Sequence, residues 1–163
     1  EQGRVLMRTG AWRAALDVLN RSLDALPKDY VAHRRRGLAF MMVGQYAEAE
    51  RDFRVASQLS TDESEFASAM ENIGVLYLHQ RLWRDALSTA SLVDRLDPEA
   101  PWNLFVMTVA LRELGERERA QAARERWLAL RDAGGRSVRY YLPDGISDDH
   151  ADLLAENPQT GSP

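Results

Sequence analysis

The sequence contains no cysteine, which excludes disulfide bonds and thiolate metal sites. Lysine is almost absent too: Lys28 stands against twenty arginines, a bias that we interpret as GC-rich, bacterial coding. Long apolar runs are also missing. The longest covers six residues, Leu38 to Val43, whereas a membrane-spanning helix needs about 20. We therefore expect no direct membrane insertion in this segment, and the localisation stays open between cytoplasm and periplasm.

The parts of a catalytic or metal site are lacking as well. The three histidines, His33, His79 and His150, are far apart in sequence, and none has an acidic residue at metal-ligand spacing on a shared helix face. The sequence has no glycine-rich phosphate loop and no nucleophile elbow. We therefore predict that the chain is not an enzyme and binds neither a metal nor a cofactor.

The composition is that of a soluble globular protein. With 163 residues, 45% hydrophobic and 28% charged, the chain can bury a core. The net charge of −4 argues against nucleic-acid binding. The charge is uneven, however, since residues 1–54 carry +3 and residues 55–100 carry −5. An anionic partner would therefore prefer the first third of the chain.

One short motif recurs four times. It reads Gly10-Ala-Trp-Arg-Ala-Ala15, Gly44-Gln-Tyr-Ala-Glu-Ala49, Arg81-Leu-Trp-Arg-Asp-Ala86 and Gly115-Glu-Arg-Glu-Arg-Ala120. The final alanines are separated by 34, 37 and 34 residues. A small residue stands twelve positions before three of these alanines, at Gly3, Gly37 and Gly74, and Pro27 and Pro98 follow twelve positions after two of them. A fixed period of this length is typical of a helical repeat array.

The pattern resembles the tetratricopeptide repeat, whose units are helix-turn-helix pairs of 34 residues. The resemblance implies an all-α, right-handed superhelical α-solenoid of about four such repeats, followed by a C-terminal tail. The repeat domain covers residues 1–132, with repeats at about 1–29, 30–63, 64–100 and 101–132. The tail covers 133–163, with a short helix at about 147–156. We expect Tyr140, Tyr141 and Leu142 of the tail to fold back onto Trp127.

The repeats also predict where the helices lie. We expect helices at about 1–9, 12–25, 29–42, 46–59, 62–80, 83–96, 101–113 and 117–132. The three extra residues of the 37-residue spacing fall near 64–66, and Ser60-Thr-Asp-Glu63 resembles a capping box. The fifth helix should therefore start early and be longer by about one turn. The signature aromatics Trp12, Tyr46 and Trp83 are assigned to the core.

The resemblance also implies a binding surface, because the first helices of such repeats line a concave groove that holds peptide ligands. Carried over position by position, the groove residues are Arg4, Arg8, Arg34, Arg35, Leu38, Met41, Asn72, Val75, His79, Trp102 and Phe105. The arginines and the asparagine could grip a carboxylate. The apolar members could accept aliphatic or aromatic side chains, and methionine adapts to varied partners.

Two functions follow from these observations. The first is a scaffold or adaptor that binds a protein or peptide segment in the groove, in a bacterial secretion, pilus or envelope assembly. The alternative is a structural module that forms a homo-oligomer or a regulatory repeat segment of a larger multidomain protein. For Arg34-Arg35-Arg36, the interpretation that competes with ligand binding is a solvated helix face.

Overall fold

The computed structural model describes residues 2–8, 10–98 and 100–132, and all regular structure in these ranges is helical. The helices are α1 (Gln2–Arg8), α2 (Trp12–Ala25), α3 (Tyr30–Met42), α4 (Tyr46–Leu59), α5 (Glu63–His79), α6 (Trp83–Leu96), α7 (Pro101–Glu113) and α8 (Arg117–Asp132). Each boundary agrees with the sequence-based map to within about one residue, and the all-α class of helix-turn-helix repeats is confirmed. The predictions for the tail, 133–163, lie outside the described residues.

The chain divides into two compact units, residues 1–76 (unit 1) and 77–163 (unit 2), with the division inside α5. In unit 1, α1 packs on α2, α2 on α3 and α3 on α4; in unit 2, α6 packs on α7 and α7 on α8. The alanine that ends each motif is buried in every repeat. These residues, Ala15, Ala49, Ala86 and Ala120, expose at most 3% of their surface. A larger side chain at any of them would have to displace a neighbouring helix.

The core of unit 1 is built where α1, α2 and α3 meet. Its buried members include Met7, Leu16, Leu19 and Leu23. Trp12 packs against this cluster while staying partly exposed, and Tyr46 and Trp83 are half-buried as well. Assigning the signature aromatics to the core therefore overstates their burial, because each stands at the first position of its helix, where one side meets solvent.

The four turns inside the helix pairs have the same backbone geometry. Each ends with a residue in the left-handed region: Gly10, Gly44 and Gly115 at φ of 73°, 79° and 79°, and Arg81 at 56°. In each turn the next N–H donates to a carbonyl five residues earlier, as from Gln45 to Phe40 at 2.9 Å. This Schellman arrangement satisfies the carbonyls at the end of a helix. It explains why glycine recurs at this position of the repeat.

Arg81 is the exception, since it adopts a conformation that disfavours a side chain. Replacing Arg81 with glycine should raise the free energy of unfolding by about 1 kcal/mol, because the left-handed conformation no longer places a Cβ atom against the carbonyl oxygen. Gly44→Ala is the matched control in the equivalent turn, where the same reasoning predicts a loss of about 1 kcal/mol. Urea denaturation followed by circular dichroism measures both. If the two substitutions change stability in the same direction, the backbone at Arg81 is not strained.

Helix α5 begins at Glu63, one turn before the repeat requires, so its predicted extension is present. The capping residues differ from the prediction by two positions. The Asp62 side chain accepts the Glu65 N–H at 2.8 Å, and the Glu65 carboxylate accepts the Thr61 N–H at 2.8 Å. Ser60 instead donates to the Ser57 carbonyl. Aspartate caps a helix at least as well as serine, and Asp62, directly before α5, is the N-cap residue.

Candidate functional site

The run Arg34-Arg35-Arg36 divides into residues with different roles. Arg36 binds the buried carboxylate of Asp52 with two hydrogen bonds, from Nε to Oδ2 at 2.6 Å and from NH2 to Oδ1 at 2.8 Å. The hydrogen bond to Asp52 raises the pKa of Arg36. His33 also contacts this carboxylate, with Nδ1 at 2.9 Å from Oδ1. Arg36 therefore holds α3 against α4 and is committed to the fold.

The same cluster fixes the turn that precedes α3. Nε2 of His33 lies 2.9 Å from the carbonyl oxygen of Pro27, so both ring nitrogens face oxygen atoms. Arg36 adds a bond from NH1 to the side-chain oxygen of Asn20 on α2, at 3.0 Å. Asp52, at 3% exposed, thus has its oxygens surrounded by donors. A buried carboxylate is tolerated when it is paired in this way.

Arg34 and Arg35, in contrast, form no ion pair with a side chain of the described residues. Both are half-buried. The guanidinium carbon of Arg34 lies 5.9 Å from the centre of the Tyr30 ring, a cation–π distance. Its Nε atom is buried and has no acceptor within the part of the chain that the structure describes. A buried donor without an acceptor is unfavourable by about 1–3 kcal/mol. Because the Nε atom is closed to solvent, an acceptor from outside would have to bind the terminal nitrogens of this guanidinium.

Tyr30 connects the start of α3 to the first turn of α5. Its hydroxyl donates to the Glu65 carbonyl at 2.8 Å. Burial raises the pKa of Tyr30, Arg34 counteracts this, and the carboxylates of Glu65, Asp62 and Glu71 raise it further. The Arg34 guanidinium and these three carboxylates thus have opposite effects on the pKa of the Tyr30 hydroxyl. The hydrogen bond from this hydroxyl places the first turn of α5 beside the start of α3.

One face of α3 carries both arginines between two apolar side chains. Val31, Arg34, Arg35 and Leu38 are spaced at i, i+3, i+4 and i+7, which places them on one side of the helix. We call these four residues the α3 face. Val31 is 37% exposed, which is high for a large aliphatic side chain in a helix, and Leu38 is half-buried. The face thus offers aliphatic contacts and two guanidinium groups within unit 1.

Several residues of the predicted groove are buried in the described structure. Met41 and Val75 each expose 1% of their surface, and Asn72 exposes 3%. The amide of Asn72 donates to the Ser68 carbonyl of its own helix at 2.6 Å. These three side chains cannot touch a ligand unless helices separate. Position within a repeat predicts which way a side chain points but not how closely the next helix covers it.

The two aromatic members of the predicted groove belong to an aromatic cluster in unit 2. Trp102 and Phe105 stack with their ring centroids 4.5 Å apart, and the edge of Trp127 meets Phe105 at 5.7 Å. They expose 8%, 0% and 6% of their surfaces, respectively. Phe105 therefore helps to cover Trp127, for which the sequence suggests a cover from the tail. His79 is half-buried in unit 2, and the side chains of Arg4 and Arg8 lie outside what the structure describes.

Sequence reasoning missed Tyr30 and the cluster around Asp52. The signal for Asp52 was available: an aspartate directly before Phe53, on the side of α4 that also carries Ala49 and Ala56, interrupts an apolar face. Tyr30 had no such signal, because its role depends on the lengthened α5. Among the described residues no group of three acidic or histidine side chains could hold a metal ion, and none of their helices has the length and apolarity to cross a membrane.

Comparison with known proteins gives a clear likeness in fold. No protein-family model matches the chain. The crystal structure of MamA superimposes with a TM-score of 0.68, at 17% identity, over 81% of this chain and 75% of that one. YrrB, described as a TPR protein with an unusual peptide-binding site, is 15% identical over 92% of this chain and 88% of its own, with a TM-score of 0.38. A score that low does not establish a shared arrangement, so the likeness to MamA carries the comparison.

A curated relative matches a shorter stretch. The peptidyl-prolyl cis-trans isomerase PASTICCINO1 of Arabidopsis thaliana is 33% identical over 64 residues, which is 39% of this chain. The chain spans about a tenth of the length of that relative, 10%. A match to 10% of the relative does not show that this chain has the isomerase activity of the whole protein.

Proposed function

We propose that this chain, which has the fold of the tetratricopeptide-repeat proteins that its motifs resemble, is a non-catalytic adaptor that binds a peptide segment of another protein on the α3 face. The observation that supports the proposal most strongly is the contrast within the arginine run. Arg36 is engaged by Asp52, whereas Arg34 and Arg35 form no ion pair with a side chain of the described residues. The same face exposes Val31, so charged and aliphatic contacts lie side by side.

The surroundings of the face favour a peptide over other ligands. Arginine is one of the residue types enriched in protein–protein interfaces and in their hot spots. The overall charge of −4 and the acidic residues near Tyr30 oppose nucleic acid. We extend the proposal to a bacterial envelope, pilus or secretion assembly; the twenty-to-one preference for arginine over lysine supports only the bacterial origin.

The proposal is tested with peptides selected from a phage library of random dodecapeptides. A selected peptide, made synthetically and labelled, should bind the chain in a fluorescence-anisotropy titration. Val31→Glu should weaken its binding about tenfold, because it places an unpaired charge in an apolar contact. Ala47→Glu is the matched control, since Ala47 is exposed at the second position of α4 as Val31 is at the second position of α3.

Two results would contradict the proposal. One is that no peptide is enriched over a blank surface. The other is that Val31→Glu and Ala47→Glu change the affinity equally, which would place the contact away from the α3 face.

A further inference from the structure

The charges around Tyr30 restrict which peptides the α3 face can bind. This specificity rests on the peptide-binding function proposed above. We infer that the face selects a peptide segment that carries an acidic and a basic side chain close together. Its acidic group would bind Arg34 and Arg35 on α3, and its basic group would face the carboxylates of α5. Every residue that carries the inference lies in unit 1.

The acidic requirement follows from the state of the two arginines. Both are half-buried and form no ion pair with a side chain of the described residues. A carboxylate can accept two parallel hydrogen bonds from a guanidinium, and the bond is stronger when both partners are charged. The Tyr30 ring lies 5.9 Å from the guanidinium carbon of Arg34, whereas a carboxylate binds the N–H groups in the plane of the guanidinium. One carboxylate therefore fits this position well.

The basic requirement follows from helix α5. The carboxylates of Asp62, Glu65 and Glu71 all act on the Tyr30 hydroxyl that Arg34 also acts on. Asp62 and Glu65 each accept a backbone N–H of the capping turn through one oxygen, at 2.8 Å. A segment with several acidic residues would be repelled by α5, whereas one with a neighbouring Lys or Arg would be attracted.

The lengthened α5 is what brings these charges to the face. Its first turn starts at Glu63, ahead of the position at which the repeat would begin it. The Glu65 carbonyl receives the Tyr30 hydroxyl at 2.8 Å, which fixes this turn beside α3. Of the three carboxylates, Glu65 is the one that lies among the three extra residues of the 37-residue spacing, near 64–66.

The test uses the selected dodecapeptides in two double-mutant cycles. In the first, Arg34→Gln with Arg35→Gln is measured against the peptide with its acidic residue changed to the amide. In the second, Glu71→Gln is measured against the peptide with its basic residue changed to glutamine. Each protein variant should weaken binding of the parent peptide about tenfold and have little effect on the matching neutral peptide. Melting temperatures verify that the variants are folded.

Matched controls separate this specificity from general electrostatics. Arg21→Gln with Arg51→Gln removes the same charge from exposed positions of α2 and α4, and Glu63→Gln removes one from an exposed position of α5 that does not act on Tyr30. These variants should leave the affinity within about twofold of the parent, because surface charges away from the contact are screened.

The outcomes distinguish the charge specificity inferred here from the peptide-binding function proposed above. Peptides that bind the α3 face but carry only acidic residues, or no charge, would overturn the specificity and leave the binding function standing. Absence of coupling in either cycle would do the same. A library from which no peptide is enriched would remove both. Enriched peptides with adjacent acidic and basic residues, together with coupling in both cycles, are the expected result.

Discussion

Replacing Asp52 with asparagine should lower the free energy of unfolding by about 3 kcal/mol, because it removes the negative charge from a buried ion pair and leaves Arg36 and His33 facing a neutral amide. The Asp52 side chain is 4% exposed and that of Arg36 is 23% exposed, so water replaces the carboxylate poorly. The amide nitrogen also has no acceptor on the side where Arg36 donates. Urea denaturation monitored by circular dichroism gives the difference.

Glu50 provides the control for this experiment on the same helix. It pairs with Arg54 one turn later, at 2.6 Å, but the arginine side chain is 59% exposed and the glutamate 31%. Glu50→Gln should therefore change the free energy of unfolding by no more than about 0.5 kcal/mol. Equal losses for the two substitutions would mean that the Asp52 cluster contributes no more than a surface ion pair.

Replacing Gly37 with alanine should destabilise the chain by about 2 kcal/mol. A Cβ atom built on Gly37 would lie 2.6 and 2.7 Å from ring carbons of Phe53. Phe53 is 0% exposed, so its ring cannot move aside without disturbing the α3–α4 contact. Overpacking of this kind costs about 1–3 kcal/mol, which exceeds the helix-propensity gain of alanine over glycine.

Gly3 occupies the equivalent position in the first repeat and gives the opposite prediction. A Cβ atom there would lie 3.5 Å from Leu19, an ordinary van der Waals contact. Gly3→Ala should therefore leave stability unchanged or raise it by up to about 1 kcal/mol. If both substitutions destabilise by the same amount, the position in the repeat, and not the ring of Phe53, would determine the effect.

The helices and turns of this fold were largely predictable because the same residue types recur at the same positions of each repeat. The alanine and glycine positions recur, and the physical requirement behind each is local: a close helix crossing for Ala49, a left-handed turn for Gly44. Arg81 shows the limit of this reasoning. The motif has an arginine at a position where the backbone still adopts the left-handed conformation that favours glycine. The structure shows this unfavourable conformation, whereas the sequence does not.

The candidate site was predictable in part. Sequence position placed Arg34, Arg35 and Leu38 on one face, and the structure has them there within unit 1. It could not separate Arg36 from its two neighbours, because the partner of Arg36 is sixteen residues away on α4. Nor could it show that Met41 is covered, because burial depends on how closely the adjoining helices pack.

The central claim is that the α3 face is the contact surface, and chemical-shift mapping tests it most directly. A selected dodecapeptide is titrated into isotopically labelled protein, and the backbone amide resonances are followed. We predict that the largest shifts fall on residues 30–38 and on residues 62–71 of the facing turns of α5. Shifts confined to α2 and α4, with the resonances of Val31 and Arg35 unmoved, would contradict the account.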